Sequence, residues 1–515
     1  MPRAKPALKS VPNNGTNDNR LKEESDRSLE EAISEVEAHC AAVVAGKKVA
    51  GNSYRLDVAN WRSVDLMNPP GLAGEIVDAI ETRNMRPLRW AAIPAALQLM
   101  AIAAGIGKRK SLNGAKMNII TITIAESAAG KDAAQSFIGD VLLRISKTAH
   151  LFNRPRTDKD MIMNALDADG KALYVVDEAH DLIGSINDKG SSQYTKSIGP
   201  LILAMATAKL YTLSGTHKRE VNALINTARE KAVKRLERID KQIDADESNK
   251  DLHKARAGLV KQLATLDVQQ TIVDTGIKDP LVCLMLSSTP GNFEKVIDYS
   301  NIASGLIGRG LLFHCGDEAA RSRADEINVD STVTDALADR VRDLTTFGRS
   351  LKVQPNTRAF LKTIFEYLED DDRRNAPIVG ALYRRAYERV ISIASLLATD
   401  EGEVTDEHVK YAFALVMRNI EDVTRLSQQN EIEDIQTALQ QRVIDVIKHS
   451  PVGVKFSAIN KQIMRRSVFA EAAERSRING YKDPLALAIA ALERQRVIEC
   501  VEIRNGLNIR LLRRV

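Results

Sequence analysis

Apolar positions along this chain follow two periods, and the change from one to the other outlines its organisation. Continuous or alternating apolar runs read as buried strands: TITI at 121–124, ALYVV at 172–176 and LVCLML at 281–286. Helical spacing prevails elsewhere. After the turn signal Asn68-Pro69-Pro70-Gly71, helices are expected over 72–82 and 88–106. Another opens at Lys131 and continues through Ala133, Ala134, Phe137 and Ile138. Residues 333–428 read as helices throughout, a lid or α-helical subdomain.

Two segments have their own patterns. Apolar residues at Leu224, Ala228, Ala232, Leu236, Ile239 and Ile243, then at Ala255, Leu259, Leu263 and Leu266, predict an antiparallel helical hairpin turning at 244–251. It would be an insert spanning 219–270, serving as a partner arm, a DNA-facing paddle or a solvated spacer. Near the C-terminus, Asp483-Pro484 supplies an N-cap and an N1 proline for a helix over 485–494. Asn505-Gly506, between apolar runs at 497–503 and 507–511, predicts a hairpin turn. With two helical patterns upstream, this is a winged-helix order. The expected fold class is therefore α/β: a P-loop NTPase core with helical N-terminal and lid regions, a helical-hairpin insert and a C-terminal winged helix. Expected boundaries are 1–67 (disordered tail and short helix over 29–45), 68–117 (helical), 118–330 (core), 331–430 (lid) and 431–515 (winged helix).

Composition narrows the class. At 515 residues the chain exceeds a single core. It is 27% charged and only 4% aromatic, which suits a helix-rich protein. Its net charge of +5 is modest, but residues 441–515 hold 15 Lys and Arg against 7 Asp and Glu, so the basic excess lies in the last segment. The helix LALAIAALER there has few side chains able to read base edges, which favours DNA backbone binding or protein docking over sequence readout. Four cysteines without a C-x-x-C pair argue against a zinc site or a disulfide framework and for a reducing, cytoplasmic setting. No signal peptide or membrane span is expected: the apolar stretch 90–106 carries Pro94, Gln98 and Gly105 and reads as a core helix.

The candidate chemistry begins in TITIAESAAGKDAA at 121–134. A strand, a small-residue loop and a helix opening at a lysine are what a phosphate cradle requires, because loop N–H groups and a helix N-terminus attract anions. Ala125, Ser127, Gly130, Lys131, Asp132 and Ala133 are its candidate residues. Two positions depart from G-x-x-x-x-G-K-[ST]: Ala125 replaces the first glycine and Asp132 the Mg²⁺-binding hydroxyl. KALYVVDEAHD at 171–181 ends a strand in Asp177-Glu178, suited to Mg²⁺ binding (Asp177, with Asp132 a second candidate) and to polarising the attacking water (Glu178). Ser288 and Thr289, ending the 281–286 strand, either sense a γ-phosphate or cap the next loop. Arg309, between two glycines in SGLIGRGLLF, is either an arginine finger or a surface residue. Arg384, Arg385 and Arg389 face phosphates or, more often for such runs, solvent. His180 is read as incidental.

NPPGL, the Ala/Leu-rich helices, the P-loop strand, the VDE strand, the helical insert, the S-x-TP strand end and GLIGRGLLF together resemble the primase/helicase-like P-loop ATPases of phages, plasmids and mobile elements. The resemblance covers residues 68–424. It implies Lys131 as the phosphate lysine, Asp177 as the Mg²⁺ carboxylate, Glu178 as the base, Arg309 as the trans-acting arginine, and an oligomeric motor in element replication. DEAH at 177–180 invites a DEAH-box label, but no second strand–helix core follows residue 313. A single core per chain predicts a hexamer-like ring. The leading expectation is a ring-forming, Mg²⁺- and ATP-dependent DNA helicase or translocase, with replication partners docking on the hairpin or the winged helix. The second is a DNA-binding replication initiator or regulator that uses nucleotide as a switch. A packaging motor is a third, but the nuclease carboxylate cluster expected beside it is not evident in the sequence.

Overall fold

The computed structural model describes residues 52–187, 193–297, 306–316, 331–346, 348, 350–376, 379–448, 450, 452–464, 467–478, 482–503 and 506–512. The expected tail, the helix over 29–45 with His39 and Cys40, and Ser304 lie outside these residues. The chain divides between Asn60 and Trp61; the first unit is described only over its last residues, chiefly helix Asn52–Ala59. The second unit, residues 61–515, carries the central sheet, the helices around it and every candidate site residue.

Five parallel strands form the central sheet: β1 (Ile120–Ile124), β2 (Leu151–Phe152), β3 (Lys171–Val176), β4 (Leu281–Ser288) and β5 (Leu311–His314), in the order β2-β3-β4-β1-β5. Every residue of β1 and β4 is buried, so both faces are covered by other elements. Such burial is why these strands are continuous apolar runs rather than alternating ones. The connection leaving β1 runs to one edge of the sheet, and the one leaving β4 crosses β1 to the other. The C-terminal ends of β1 and β4 thus flank a topological switch point, where open α/β sheets form their binding crevice.

Helices α1 (Leu72–Thr82) and α2 (Arg89–Ile106) follow the NPPG turn, where Gly71 has φ +63°. α2 is the one helix among the described residues long and apolar enough to cross a membrane, and 89% of that window is buried inside the fold. It packs on β3, β4, β1 and β5. The Gln98 amide, a polar group within this apolar helix, donates to the carbonyls of Ile119 (3.3 Å) and Leu284 (2.6 Å) and to Thr121 Oγ1 (3.0 Å), tying the helix to two strands. α3 (Lys131–Arg144) starts at the lysine, as its spacing predicts.

The insert is two helices, α4 (Gly215–Ala245) and α5 (Lys250–Thr275), longer than the apolar repeat alone indicated. Ser214 and Asn249 cap their N-termini, and a short strand pair, Leu210–Tyr211 with Ile277–Lys278, closes the base. At 1.5 Å per residue α4 extends about 46 Å. The hairpin has its own core, Ala232, Ile239 and Leu259 with Leu236, Ile243, Leu252 and Leu263 around them. Arg229–Asp267 and Arg256–Asp240 pair across it.

α6 (Ser331–Leu344), α7 (Gly380–Leu397) and α8 (Asp406–Ile447) form the helical region, crossed by one short parallel strand pair, Lys352–Val353 with Glu403–Val404. α8 runs unbroken through residue 431, where a domain boundary was expected. Its C-terminal Leu439, Val443 and Ile447 enter a separate core with α9 (Phe456–Ile463), α10 (Ser467–Ile478), α11 (Pro484–Arg494) and a three-stranded antiparallel sheet, β6 (Val454–Lys455), β8 (Gly506–Leu511) and β7 (Ile498–Ile503) in that spatial order. Asp483 accepts from the Leu485 N–H at 3.0 Å and Pro484 opens α11, as expected. The hairpin turn is displaced by one residue. Ile503 pairs with Gly506, so the connection is 504–505, outside the described residues, and Gly506 already belongs to the strand.

Candidate phosphate-loop site

The strand ends determine which side chains meet. β3 and β4 pair with Val176 opposite Leu286, so the next residues, Asp177 and Ser287, fall side by side. Ser287 Oγ donates to Asp177 Oδ1 at 3.0 Å. On the other side, Lys131 Nζ lies 3.1 Å from the same oxygen. Gln135, one helical turn beyond Lys131 on the same face of α3, donates from Nε2 to Ser287 Oγ at 2.9 Å. Lys131, Asp177, Ser287 and Gln135 thus form one polar network below the loop. Burial alone would raise the Asp177 carboxyl; the hydrogen bond and charge of Lys131, with the Glu178 N–H and Ser287, outweigh it and hold the carboxyl below its usual range. The Lys131 side chain is only 12% exposed while that of Asp177 is 50% exposed, so the lysine is the enclosed partner and the carboxylate the accessible one.

The loop between β1 and α3 is shaped for an anion. Ala128 (φ +59°) and Gly130 (φ +91°) both take left-handed conformations, the backbone geometry of which anion-binding turns are built. Among the described residues, the N–H groups of Ser127, Ala128, Gly130 and Lys131 have no hydrogen-bond acceptor, and α3 has no side-chain cap. Two loop residues are not part of that donor set, and one of them, Ala125, was a candidate. The Ala125 N–H is held by the Ser288 carbonyl at 3.1 Å and the Ala129 N–H by the Glu126 carbonyl at 3.2 Å. Ala125, where a glycine was expected, is buried at the strand end, with a backbone that continues the sheet.

Gly130 is required for a second reason. A Cβ there would lie 2.4 Å from the Arg86 carbonyl oxygen and within 2.8 Å of both Asn84 side-chain polar atoms. The segment between α1 and α2 presses on the loop: Asn84 Nδ2 donates to the Gly130 carbonyl at 2.7 Å and Arg86 Nη1 to the Ala128 carbonyl at 2.9 Å. Neither residue stood out in the sequence. A polar residue between two predicted helices carries no local signature, and its loop partner lies more than 40 positions away.

The remaining candidates separate. Asp132 is exposed in the first turn of α3, where a carboxylate is favourable to the helix dipole, and among the described residues no hydrogen bond links it to Asp177. Ala133 is half-buried behind the loop. Glu178 is exposed and has φ +52°, a conformation costly for a non-glycine residue and concentrated at functional sites. At the end of β4, Ser287 rather than Ser288 faces the carboxylate. Ser288 points to His180, with Oγ 3.2 Å from Nδ1. Thr289 is the N-cap position of helix Pro290–Phe293 and makes no side-chain capping bond.

Arg309 does not reach this site within its own chain. It precedes β5, whose first residue Leu311 lies opposite Thr121, whereas the loop leaves β1 beyond Ile124. At about 3.3 Å per residue the sheet alone separates them by more than about 10 Å. Arg385 and Arg389, for which phosphates or solvent were the alternatives, donate to the Gly308 carbonyl at 3.5 and 2.8 Å. Arg384 donates to the Arg374 carbonyl.

The donor set fits a magnesium–nucleotide complex. Among the described residues no group of three His, Cys, Asp or Glu is placed to hold a metal by itself. Mg²⁺ does not need one: it takes one or two carboxylates and completes its shell with phosphate oxygens and water. Asp177, accessible and ionised beside the Ser287 hydroxyl, suits that role, and Lys131, the first residue of α3 after the loop, stands 3.1 Å from it. No protein-family model matches this chain, and neither a curated protein nor a solved structure matches it.

Proposed function

We propose that this chain is a Mg²⁺-dependent ATP hydrolase that moves on DNA, a ring-forming helicase or translocase acting in the replication of a phage or mobile element. The carrying observation is the convergence, at the switch point of the sheet, of a left-handed anion loop, the enclosed Lys131 and the accessible Asp177. With nucleotide bound, Lys131 would turn from Asp177 to the phosphates, and Asp177 would be the residue that holds Mg²⁺. The metal, when bound, neutralises charge on the phosphate oxygens. Glu178, the next residue and solvent-accessible, accepts the proton of the attacking water; Ser287 and Gln135 hold Asp177 in place. The P-loop core, the winged-helix reading of residues 431–515 and the DNA partner belong to the same proposal. The excess of positive charge after residue 440, on a compact helix–sheet unit, supports backbone contacts to DNA. A cytoplasmic setting accords with it.

A second reading has one observation in its favour. Asp132, an exposed carboxylate where a hydroxyl was expected, adds negative charge beside the phosphates. That would suit an initiator or regulator that binds nucleotide as a switch and turns it over poorly.

ATP turnover with and without single-stranded DNA, measured for wild type, Lys131→Ala and Glu178→Gln, separates the two. The motor reading expects DNA-stimulated turnover, loss of nucleotide binding in Lys131→Ala, and a fall of about 10²–10⁴-fold in Glu178→Gln with binding retained. A wild type that binds ATP and DNA tightly but does not turn over would refute the motor and leave the switch.

A further inference from the structure

α4 packs on α5 along Ala232 and Ile239, and the two flanks of α4 beside that seam differ in kind. With about 3.6 residues to a turn, Arg229 and Asp240 fall on one side of the seam, and Lys231, Arg235 and Arg238 on the other. The first flank is stapled to α5 by the pairs Arg229–Asp267 and Arg256–Asp240. The second is open. Lys231, Lys234, Arg235, Arg238 and Lys241 are all exposed, and among the described residues none of them forms an ion pair. The shallow groove between the helices is lined here by Lys231 and Arg235 of α4 and by the uncharged Gln262 of α5. Glu220, the acid at the base of this flank, is engaged by Lys159. Glu230, Glu237 and Asp244 recur on the face of α4 turned away from α5.

Side chains three and four residues apart on a helix stabilise it when their charges are opposite and destabilise it when they are alike. Lys231, Arg235 and Arg238 have no carboxylate at either spacing, only one another, Lys234, Lys241 and uncharged residues. The middle of this flank therefore repels itself. A solvated spacer would gain from acids there; a surface that meets an external anion would not. We infer that this flank of α4 is a contact surface for the phosphate backbone of duplex nucleic acid, bound without regard to sequence. Its cations span about 15 Å of helix, and a duplex carries a phosphate about every 3.4 Å along each strand, so the flank suits a run of phosphates better than a single anion. Residues 215–275 contain no Phe, Tyr or Trp and offer no platform on which unpaired bases could stack. Charge alone positions a backbone and reads no base. An acidic protein is the less suitable partner, because protein interfaces are centred on apolar and aromatic anchors and the centre of this flank is lysine and arginine. The inference goes beyond the proposed function: it uses no part of the nucleotide site and lies apart from residues 431–515.

The test is the salt dependence of duplex binding by the full chain. A fluorescein-labelled DNA duplex of about 30 base pairs is titrated by anisotropy between about 50 and about 200 mM salt. The triple variant Lys231→Gln/Arg235→Gln/Arg238→Gln should bind at least about tenfold more weakly at about 100 mM salt. Its slope of log affinity against log salt should be shallower by about 2–3, one phosphate contact for each cation removed. A second duplex of unrelated sequence should show the same change. The control Lys250→Gln/Lys254→Gln/Lys261→Gln removes as much charge from exposed positions on the outward face of α5 and should match wild type in both quantities. Arg235→Glu, a single exposed change, should weaken binding in the same direction and keeps the test open should the triple variant lose helix. Equal losses in the two triple variants would overturn the inference by reducing the effect to net charge. An unchanged slope in the flank variant, or a wild type without duplex affinity, overturns it as well. Weaker binding of poly-glutamate with duplex affinity unchanged does so too, and assigns the flank to an acidic protein. These titrations contain no nucleotide, so they decide the inference whether or not the chain hydrolyses ATP.

Discussion

Replacing Gly130 with alanine tests the loop where geometry and chemistry meet. Two costs are separable. The left-handed backbone at φ +91° imposes about 1–2 kcal/mol on any side chain with a Cβ. The new methyl would also stand 2.4 Å from the Arg86 carbonyl, a backbone atom that cannot rotate away, so the 84–86 segment must retreat. Retreat strains the Asn84–Gly130 and Arg86–Ala128 hydrogen bonds, each worth about 0.5–1.5 kcal/mol, the exposed Arg86 bond at the lower end. The total is about 2–4 kcal/mol. Gly114 is the control: its φ is +75°, but nothing lies within 4 Å of its added Cβ, so Gly114→Ala should cost only the conformational part, about 1–2 kcal/mol. Urea denaturation of both variants measures the difference. If residues 61–515 unfold together, an unfolding entropy of about 2.1 cal/mol/K per residue makes each kcal/mol worth about 1 °C in a thermal scan. Titration with a fluorescent ATP analogue supplies the second readout: Gly130→Ala should lose binding and Gly114→Ala should keep it. Equal destabilisation of the two variants, with binding unchanged in both, would refute the packing argument and the phosphate role of the loop together.

Lys116 donates from Nζ to the carbonyls of Met205, Ala208 and Pro280, all within 2.8 Å, and burial brings it down to about 8. Because the unfolded lysine holds its proton up to about 10.4, the unfolded state binds more protons between those values, and stability should rise with pH across that window. Lys116→Met should remove this rise, which paired urea titrations at about pH 7.5 and about pH 10 would detect; an identical pH response in both proteins would count against the burial of the ammonium. In the hairpin, Leu259→Ala should cost about 2–4 kcal/mol locally and increase amide exchange along α4 and α5. Basal ATP turnover should stay unchanged because the hairpin has a core of its own; a parallel loss of turnover would mean that the insert is coupled to the sheet.

Much of the fold is legible in local pattern because the elements declare themselves locally. Buried parallel strands need unbroken apolar runs, so ITITI, KALYVV and LVCLMLSS are visible without any partner. Asp483-Pro484 is equally local, because a cap is satisfied within a few residues, and the helix opening at Lys131 declares itself by its own apolar spacing. The one-residue error at Asn505-Gly506 has the opposite origin: cross-strand pairing, not the dipeptide, sets where a hairpin turns, and Gly506 is paired with Ile503.

The site divides in the same way. Lys131, Asp177, Glu178 and Gly130 can be picked out of the chain because strand–loop–helix order and strand-end carboxylates are contiguous features. Sequence alone also determines the helical insert and the basic C-terminal segment. Only tertiary structure decides that Ser287 rather than Ser288 serves Asp177, since parity at the end of β4 depends on its register with β3. It alone brings Asn84 and Arg86 onto the loop, and Arg385 and Arg389 onto the Gly308 carbonyl, across 77 and 81 positions of chain. The physical reason is common to all of them. Periodicity and capping are interactions over a few residues and leave a trace in every sequence that uses them, whereas a contact between distant segments is specified by the packing of the whole sheet and leaves none.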